Sequence, residues 1–267
     1  MELREQALKV LCEPDPAAKA AAARALHLAP PPLDTRRVLL PPAPLPGRPL
    51  RPRLVPPQQV ATRSPFTRAG RAALLHAVTH IEFNAINLAL DALWRFPGLP
   101  EAYYRDWLQV AGEEALHFTL LSEHLQSLDC RYGDHDAHDG LWAMTERTAG
   151  DVTARMALVP RTLEARGLDA TPPMQAKLAR AGDTRAVEIL DTILRDEIGH
   201  VAIGNRWYAW LCARDGLDPV AHYAVLTARH GAPRLRAPFN TAARRAAGFS
   251  DAEIAALTSL PPLSNTP

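Results

Sequence analysis

Residues 195–208 read RDEIGHVAIGNRWY and lie inside a long stretch with helical periodicity. Small and apolar residues recur there at the three- and four-residue spacing of a single helix face, which predicts that this face points into the protein. These residues are Leu190, Ile193, Gly204, Trp207 and Leu211. Glu197 and His200 share that face, one helical turn apart. Because a carboxylate buried alone costs several kcal/mol, the sequence predicts a charged partner for Glu197 inside the protein.

The same pattern occurs a second time, within the sequence EEALHF at residues 113–118. Glu114 and His117 are three residues apart there, on a helix face that is otherwise apolar. Two further predicted helices each carry one glutamate on an apolar face, Glu82 and Glu164. Glu114 follows Glu82 by 32 residues, and Glu197 follows Glu164 by 33. Two helical hairpins are thus predicted to carry the same order of one glutamate followed by a Glu-x-x-His pair.

Four carboxylates and two imidazoles inside one bundle form a ligand set for two divalent cations, which neutralise about four negative charges. The predicted ligands are Glu82, Glu114, His117, Glu164, Glu197 and His200. Oxygen-rich ligands combined with imidazole favour two iron ions, with a Mn/Fe or a Mn/Mn pair as alternatives. The competing interpretation is a metal-free structural bundle whose interior glutamates and histidines pair with arginine or with one another.

An acidic residue precedes the glutamate of each Glu-x-x-His pair: Glu113 before Glu114, and Asp196 before Glu197. Adjacent helix positions point about 100° apart, so we expect each acid to accept the second N–H of a ligand histidine across the bundle. A solvated acid or an arginine-paired acid is the alternative. Pro160, one turn before Glu164, removes a helical hydrogen bond and predicts a kink beside the site.

The predicted fold class is all-α, a four-helix bundle flanked by shorter segments. Long helices are expected over residues 67–95, 101–127, about 141–165 and 183–214, with a short helix near 174–181. Residues 2–27 predict one or two short alanine-rich helices. Of the 25 prolines, 12 fall between Pro30 and Pro65, which predicts an extended arm. A short helix over 218–230 and an irregular basic tail follow, so the predicted division is 1–65, 66–216 and 217–267.

The composition is that of an ordinary globular protein. A net charge of +1 provides no general attraction to nucleic acid or to a membrane surface. The three cysteines are widely separated and form no C-x-x-C motif, which argues against a disulfide framework or a cysteine zinc site. No apolar stretch approaches the roughly 20 residues of a membrane span, and the N-terminus lacks the pattern of a signal peptide. We therefore expect a cytoplasmic protein.

Six segments resemble a bacterial ferritin-like family that is known mainly as a conserved domain of unknown function. They are HIEFNAINLALDALWRF (80–96), EEALHF (113–118), YGDHDAHDGLW (132–142), LEARGLDATPP (163–173), DEIGHVAIGNRWY (196–208) and PFNTAARRAAGF (238–249). The resemblance covers nearly the whole chain and implies a ferritin-like fold with the six ligand positions named above, but no substrate. Since the fold is similar to that of di-iron tRNA hydroxylases, it implies oxygen chemistry by analogy.

The leading functional hypothesis is an oxidase or oxygenase that activates O₂ to hydroxylate or oxidise a small-molecule or nucleotide substrate, using an external electron donor. An iron-oxidising or metal-handling protein and a metal-free binding scaffold are the alternatives. The oligomeric state separates the oxygenase from a storage protein, because storage requires a closed multi-subunit shell and a monomer or dimer would exclude it. His135 and His138, in the polar loop 129–140, are candidates for a substrate pocket. Basic residues of the arm and of segment 229–245 are candidates for contact with an anionic substrate.

Overall fold

The computed structural model describes residues 1–61 and 63–258, and within these ranges the all-α prediction is confirmed. Eleven α-helices, one 3-10 helix (Pro57–Gln59) and one π-helix (Val159–Glu164) are present in the described residues. The α-helices are α1 (Leu3–Leu11), α2 (Pro16–Leu28), α3 (Arg68–Arg95), α4 (Glu101–Ser127), α5 (Gly140–Arg147), α6 (Val152–Leu158), α7 (Ala165–Arg180), α8 (Thr184–Arg214), α9 (Pro219–Arg229), α10 (Thr241–Ala246) and α11 (Asp251–Thr258). None of the helices in the part of the chain described is long and apolar enough to cross a membrane.

Two helical pairs form the centre of the molecule. Helix α3 packs along α4, while α6, the π-helix and α7 follow one another along α8, and contacts between α4 and α8 join the two pairs. Local signals set the helix ends: the Thr67 hydroxyl accepts from the Gly70 N–H at the start of α3, and the Asp183 carboxylate accepts from the Ala186 N–H at the start of α8. Helix α3 ends before Pro97 and Gly98, and Gly98 has a φ of 81° that favours glycine.

The third long helix differs from the prediction. A continuous helix from about 141 to 165 was expected, but the chain breaks between α5 and α6 and begins again where Asp151 accepts a hydrogen bond from the Ala154 N–H. The predicted break at 166–173 was also wrong, because α7 continues through Pro172 and Pro173. Proline at position 172 cannot donate to the Leu168 carbonyl, and the side-chain amide of Asn240 donates to that carbonyl instead. A residue far along the chain thus replaces the missing donor.

The C-terminal segment is more regular than predicted. Residues 241–246 and 251–258 form α10 and α11, which pack on one another, and α10 also contacts α7 and α8. Arg244 is fully buried and donates to Asp169 on α7, with an Nη2–Oδ2 distance of 2.6 Å. This buried ion pair holds α10 against the bundle, so Arg244, one of the basic residues of this segment, has a role in tertiary packing. Residues 259–267 lie outside the described part of the chain.

The proline-rich arm lies on the body of the protein and is fixed at several points. The buried Arg4 guanidinium donates to the Trp94 carbonyl at the end of α3 and to the carbonyls of Asp34 and Arg37 in the arm. Farther along, the Val55 N–H donates to the Ala137 carbonyl, and the Ala137 N–H donates to the Arg53 carbonyl. The arm therefore connects the N-terminal helices to the loop that precedes α5.

Lys19 on α2 is a second buried cation that binds the arm. Its ammonium group donates to the Gly47 carbonyl at 2.8 Å and to Asn87 Oδ1 on α3 at 2.6 Å. Gly47 approaches α1 so closely that a Cβ there would lie 2.1 Å from the Cys12 carbonyl oxygen. Burial, together with the nearby Arg48 charge, lowers the pKa of Lys19 to about 7. Above about pH 7 the folded protein therefore favours the neutral amine of Lys19.

Lys19→Met should remove a pH dependence of stability. Above about pH 7 the unfolded chain still binds the Lys19 proton and the folded chain does not, so the free energy of unfolding rises with pH. Between about pH 7 and pH 8.5 the wild-type protein should gain about 1.5 kcal/mol relative to the variant. Urea unfolding of both proteins at the two pH values measures this difference. Equal pH responses would show that Lys19 keeps its charge when buried.

Candidate metal centre

Six interior side chains from four helical segments converge between α3, α4 and α8. Glu82 belongs to α3, Glu114 and His117 to α4, Glu164 ends the π-helix, and Glu197 and His200 belong to α8. All six are buried: His117, His200 and Glu114 are fully inaccessible, and the three remaining glutamates are between 3% and 8% exposed. The helical periodicity accounts for this placement, because each residue lies on the apolar face of its own helix.

Glu82, Glu114, His117 and Glu197 form a group that can hold a metal ion. Each offers one ligand atom, and these four atoms all lie within 4.8 Å of one another. His117 Nδ1 lies 3.2 Å from Glu82 Oε2 and 3.3 Å from Glu114 Oε2. This group brings α3, α4 and α8 to one point.

The second Glu-x-x-His pair adds further ligand atoms around the same glutamate. His200 Nδ1 lies 2.9 Å from Glu114 Oε1 and 3.7 Å from Glu197 Oε1. One oxygen of Glu114 therefore faces His117 and the other faces His200, and the two imidazole rings are 5.8 Å apart. Glu164 also contributes to the charge of this region, since its carboxylate interacts with those of Glu197, Glu114 and Glu82.

Two carboxylates at the edge of the site bind the outer nitrogens of the histidines across the bundle. His117 Nε2 on α4 is 3.1 Å from Asp196 Oδ2 on α8, and His200 Nε2 on α8 is 2.7 Å from Glu113 Oε2 on α4. Both contacts were predicted from the position of an acidic residue directly before each glutamate. Because a carboxylate only accepts, each imidazole donates its Nε2–H outward, and this fixes the orientation of the ring.

Several inward atoms lack hydrogen-bond partners among the residues that the structure describes. They are Glu114 Oε1, Glu164 Oε2, Glu197 Oε2 and His200 Nδ1. When His200 donates from Nε2, its Nδ1 carries a lone pair. Nδ1 and Glu114 Oε1 are then two hydrogen-bond acceptors that face one another. Buried acceptors in contact need either a proton or a cation between them. The donor set thus fits a cation in this position.

The charges of the site follow from this crowding. Burial and the neighbouring Glu114 raise the pKa of Glu82 to about 8, and burial with Glu197 raises the pKa of Glu164 well above its ordinary value. Burial by itself would raise the pKa of Glu114. The two adjacent imidazoles outweigh this effect, so the pKa of Glu114 is lowered. The pKa of each histidine is raised well above its usual range, since adjacent carboxylates outweigh the effect of burial. Without a metal, the interior is therefore neutralised by protons.

The backbone is irregular where it carries Glu164. Pro160 lies in the second position of the π-helix, and the Thr162 hydroxyl donates to the Ala157 carbonyl near the end of α6. Gly204 of α8 lies directly opposite, and a Cβ at this position would be 2.5 Å from Pro160 Cβ. The proline ring therefore requires glycine on the facing helix. π-Helical turns inside α-helices are frequent at functional sites, and this one ends at a candidate ligand.

The candidate pocket residues of the polar loop lie against a different part of α3. The His135 ring packs edge-on against His76, with ring centroids 5.3 Å apart, and the His138 carbonyl is 3.2 Å from His80 Nε2. His76 and His80 are both buried, and each ring stacks against that of Tyr132. Neither loop histidine belongs to the metal-capable group found in the described ranges. Their assignment to a substrate pocket stays a prediction.

Two of the arm arginines bind aspartates of the polar loop. Arg48 donates to Asp139 at 2.7 Å, and Arg53 donates to Asp136 at 2.5 Å. These contacts attach the arm to the body. The sequence suggested these two arginines as contacts for an anionic substrate. Their ion pairs give them a structural role instead.

A buried arginine near the site was not identified from the sequence. Arg161, in the π-helix, is 6% exposed and donates to Asn205 Oδ1 on α8 and to Glu253 on α11. The signal was present in the segment MALVPRTLEA, residues 156–165, where one arginine interrupts an apolar run. Its partners are 44 and 92 residues away, so only the fold shows why it is buried.

Comparisons with known proteins identify relatives. A family model described as a protein of unknown function, DUF455, matches residues 12–255. An uncharacterized protein of Haemophilus influenzae, strain Rd, is 52% identical over 213 residues, which cover 77% of this chain and 74% of that protein. No solved structure matches the chain. These relatives carry no stated activity, so any functional argument has to start from the site.

Metal binding at this site should weaken as the pH falls. The pKa of Glu82 is about 8 and those of both histidines are raised, so a cation must displace protons. The apparent affinity for Mn²⁺ should therefore drop by about tenfold or more per pH unit below pH 8. Calorimetric titration in buffers of different ionisation enthalpy measures both affinity and released protons. Glu82→Gln should release fewer protons, and an affinity that does not vary with pH would contradict this account.

Proposed function

The chain belongs to the DUF455 family, and we propose that it is a dinuclear metal protein, with two iron ions, that activates O₂ to oxidise or hydroxylate a substrate. Its ligands are Glu82, Glu114, His117, Glu164, Glu197 and His200, the arrangement of a ferritin-like carboxylate bundle. A Mn/Fe or Mn/Mn pair is the alternative metal content.

The position of Glu114 carries the proposal. One of its oxygens faces His117 and the other faces His200, so this carboxylate lies between two imidazoles whose outer nitrogens are both occupied by acids. A single metal ion would use one side of this arrangement and leave unpaired acceptors on the other. Two cations would use both sides and would balance about four carboxylate charges.

The residues around the ligands have identifiable tasks. Asp196 and Glu113 accept the outer N–H groups, so that each imidazole keeps its Nδ1 lone pair directed inward. Two ferrous ions bound here would supply the electrons with which O₂ is reduced. Val110 and Leu121, on the ligand-bearing face of α4, are fully buried and keep bulk water away from the carboxylates.

The proposal extends to partners. An oxygenase reaction requires electrons from an external donor once the bound metal is oxidised. The substrate is a small molecule or a nucleotide, and the protein is proposed to act in the cytoplasm as a monomer or dimer. The mass of the native protein tests the last point, because a closed multi-subunit shell would favour iron storage.

Metal content tests the ligand assignment. Protein purified from cells supplied with iron and manganese should contain about two metal ions per chain. Glu114→Ala and His200→Ala should each lose most of this metal, because each removes an interior ligand. Glu188→Ala is the matched control, since Glu188 is an exposed residue of the same helix as His200 and pairs only with Arg185 in the described structure. Circular dichroism verifies that the four proteins are folded, and elemental analysis then measures the metal content of each. Metal retained by both ligand variants would exclude the site.

Ferrous iron titration under air separates the proposed activity from metal handling. Metal-free protein should oxidise about two iron ions per chain and then stop, because further turnover needs reductant and substrate. Oxygen uptake and iron oxidation are followed together, with Glu114→Ala as the inactive reference. Continued oxidation of many iron ions per chain would instead support the iron-oxidising alternative. Wild-type rates equal to those of buffer alone would contradict both.

A further inference from the structure

The helical walls around the ligand cluster are incomplete on one side. Helix α3 packs along α4, α4 contacts α8, and α8 packs along α7, but within residues 1–61 and 63–258 α3 and α7 do not pack along one another. One end of this fourth side is closed by an apolar cluster that includes Leu75 of α3 and Leu178 of α7. The other end is covered by α5, which contacts both α3 and the π-helix. An opening therefore remains between these two ends.

Ile81 marks the opening on α3. It is 45% exposed, and it is the only exposed residue of α3 between Gly70 and Arg95. Phe83 lies on the flank of α3 that faces α4, with its ring centroid 5.6 Å from that of Phe118. Ile81 is two positions before Phe83, about 200° around the helix, and so lies on the other flank. An exposed isoleucine thus adjoins the candidate ligand Glu82 on the side that α4 leaves uncovered.

Gly167 marks the opening on α7. Asp169, on one flank of this helix, binds Arg244 of α10. Gly167 is two positions before Asp169 and therefore lies on the other flank, away from α10. A Cβ at Gly167 would have no contact within 4 Å beyond its own helix. The space beside Gly167 is therefore open, three residues after the candidate ligand Glu164.

The residues that flank the opening are small or apolar. Val78 and Ala85 lie one turn from Ile81 along α3, and Leu163 lies one turn from Gly167. Val78, Ala85 and Leu163 are all buried, so they line the inner part of the opening. Such a lining provides no partner for a charged group, which would lose its hydration on entering.

The two glutamates behind the opening are the less completely enclosed ones. Glu82 on α3 is 3% exposed, and Glu164, directly before α7, is 8% exposed. Glu114 on α4 is inaccessible to solvent. The ligand cluster is thus closed on the α4 side, while its two carboxylates from the walls of the opening keep a narrow contact with solvent.

We propose that the opening between α3 and α7 is the entrance to the ligand cluster, and that it admits a small substrate whose reacting end is an uncharged hydrocarbon group. Ile81 and Gly167 set the width of this entrance, and the apolar lining selects the reacting end. The assignment of the substrate class rests on the proposed function. The entrance itself does not, since it is a property of the metal-free protein.

Thiol labelling of the full-length, metal-free protein tests the entrance. Glu164→Cys places a thiol behind the opening, and Glu188→Cys places a reference thiol on the exposed face of α8. The reagents are ethyl methanethiosulfonate and two analogues whose ethyl group carries a sulfonate or a trimethylammonium. Mass spectrometry of the peptide that contains the introduced cysteine separates its labelling from that of the three native cysteines.

Two variants narrow the entrance from opposite walls. In the Glu164→Cys protein, Gly167→Trp and Ile81→Trp should each slow labelling by the ethyl reagent by about tenfold or more. Gly199→Trp is the matched control, because Gly199 is exposed on α8 and a Cβ there also has no contact within 4 Å beyond its own helix. This control should change the rate by less than about twofold. Either blocking variant suffices if the other fails to fold.

Each rate at Glu164→Cys is divided by the rate of the same reagent at Glu188→Cys. The ethyl reagent should then be faster than either charged reagent by about tenfold or more. Blocking variants that label as fast as Gly199→Trp would overturn the entrance, and a charged reagent as fast as the ethyl one would overturn the substrate class. Metal content of the wild-type protein is measured separately. Unblocked labelling in a protein that binds two metal ions refutes the entrance alone, whereas blocked labelling in a protein that binds none refutes the proposed function alone.

Discussion

The interior of this protein contains four carboxylates within reach of two imidazoles, and this excess of negative charge has to be neutralised. Glu114 is fully buried and faces a histidine with each of its oxygens. Protons satisfy the site in one way, through carboxylates and imidazoles whose pKa values are raised. A bound metal ion would satisfy it in another. The arrangement of the four helical segments follows from this requirement, because each must bring its glutamate to the same point without admitting water.

The remainder of the bundle holds these groups in position at some cost in regularity. Most of α3 is buried, including its polar residues Asn87 and Asp91, because α1, α2 and α5 pack against it in addition to α4. Lys19 binds Asn87, and Arg155 forms a buried pair with Asp91 at 2.5 Å. A helix that carries polar groups on several faces needs such partners around it. Lys19 of α2 and Arg155 of α6 supply them, and the N-terminal helices share one hydrophobic core with the bundle.

The π-helix connects the ligand cluster to the C-terminal helices. Within six residues it contains Arg161, whose guanidinium lies over the Tyr223 ring of α9, and Glu164, which faces the carboxylate cluster. Gly204 makes room for its proline, and the Thr162 hydroxyl binds both a carbonyl of the preceding turn and Tyr223. A segment with irregular hydrogen bonding has fewer local constraints than an α-helix. In this protein, side chains of that segment bind residues of α8, α9 and α11.

Periodicity in the sequence was sufficient to predict an all-helical protein and to select six residues that converge, because the face of a helix on which a residue lies depends only on its neighbours within a few turns. The outward contacts of Asp196 and Glu113 could be expected for the same reason. The path of the chain through Pro172 and Pro173 could not, since the donor that replaces the missing backbone N–H comes from Asn240. Similarly, the burial of Arg161 depends on partners from α8 and α11, and the opening between α3 and α7 exists only where α5 does not cover it. The sequence by itself thus determined the local elements and their inward faces. The tertiary structure decided which distant groups complete each hydrogen bond and enclose each space, because those contacts join residues that no local pattern relates.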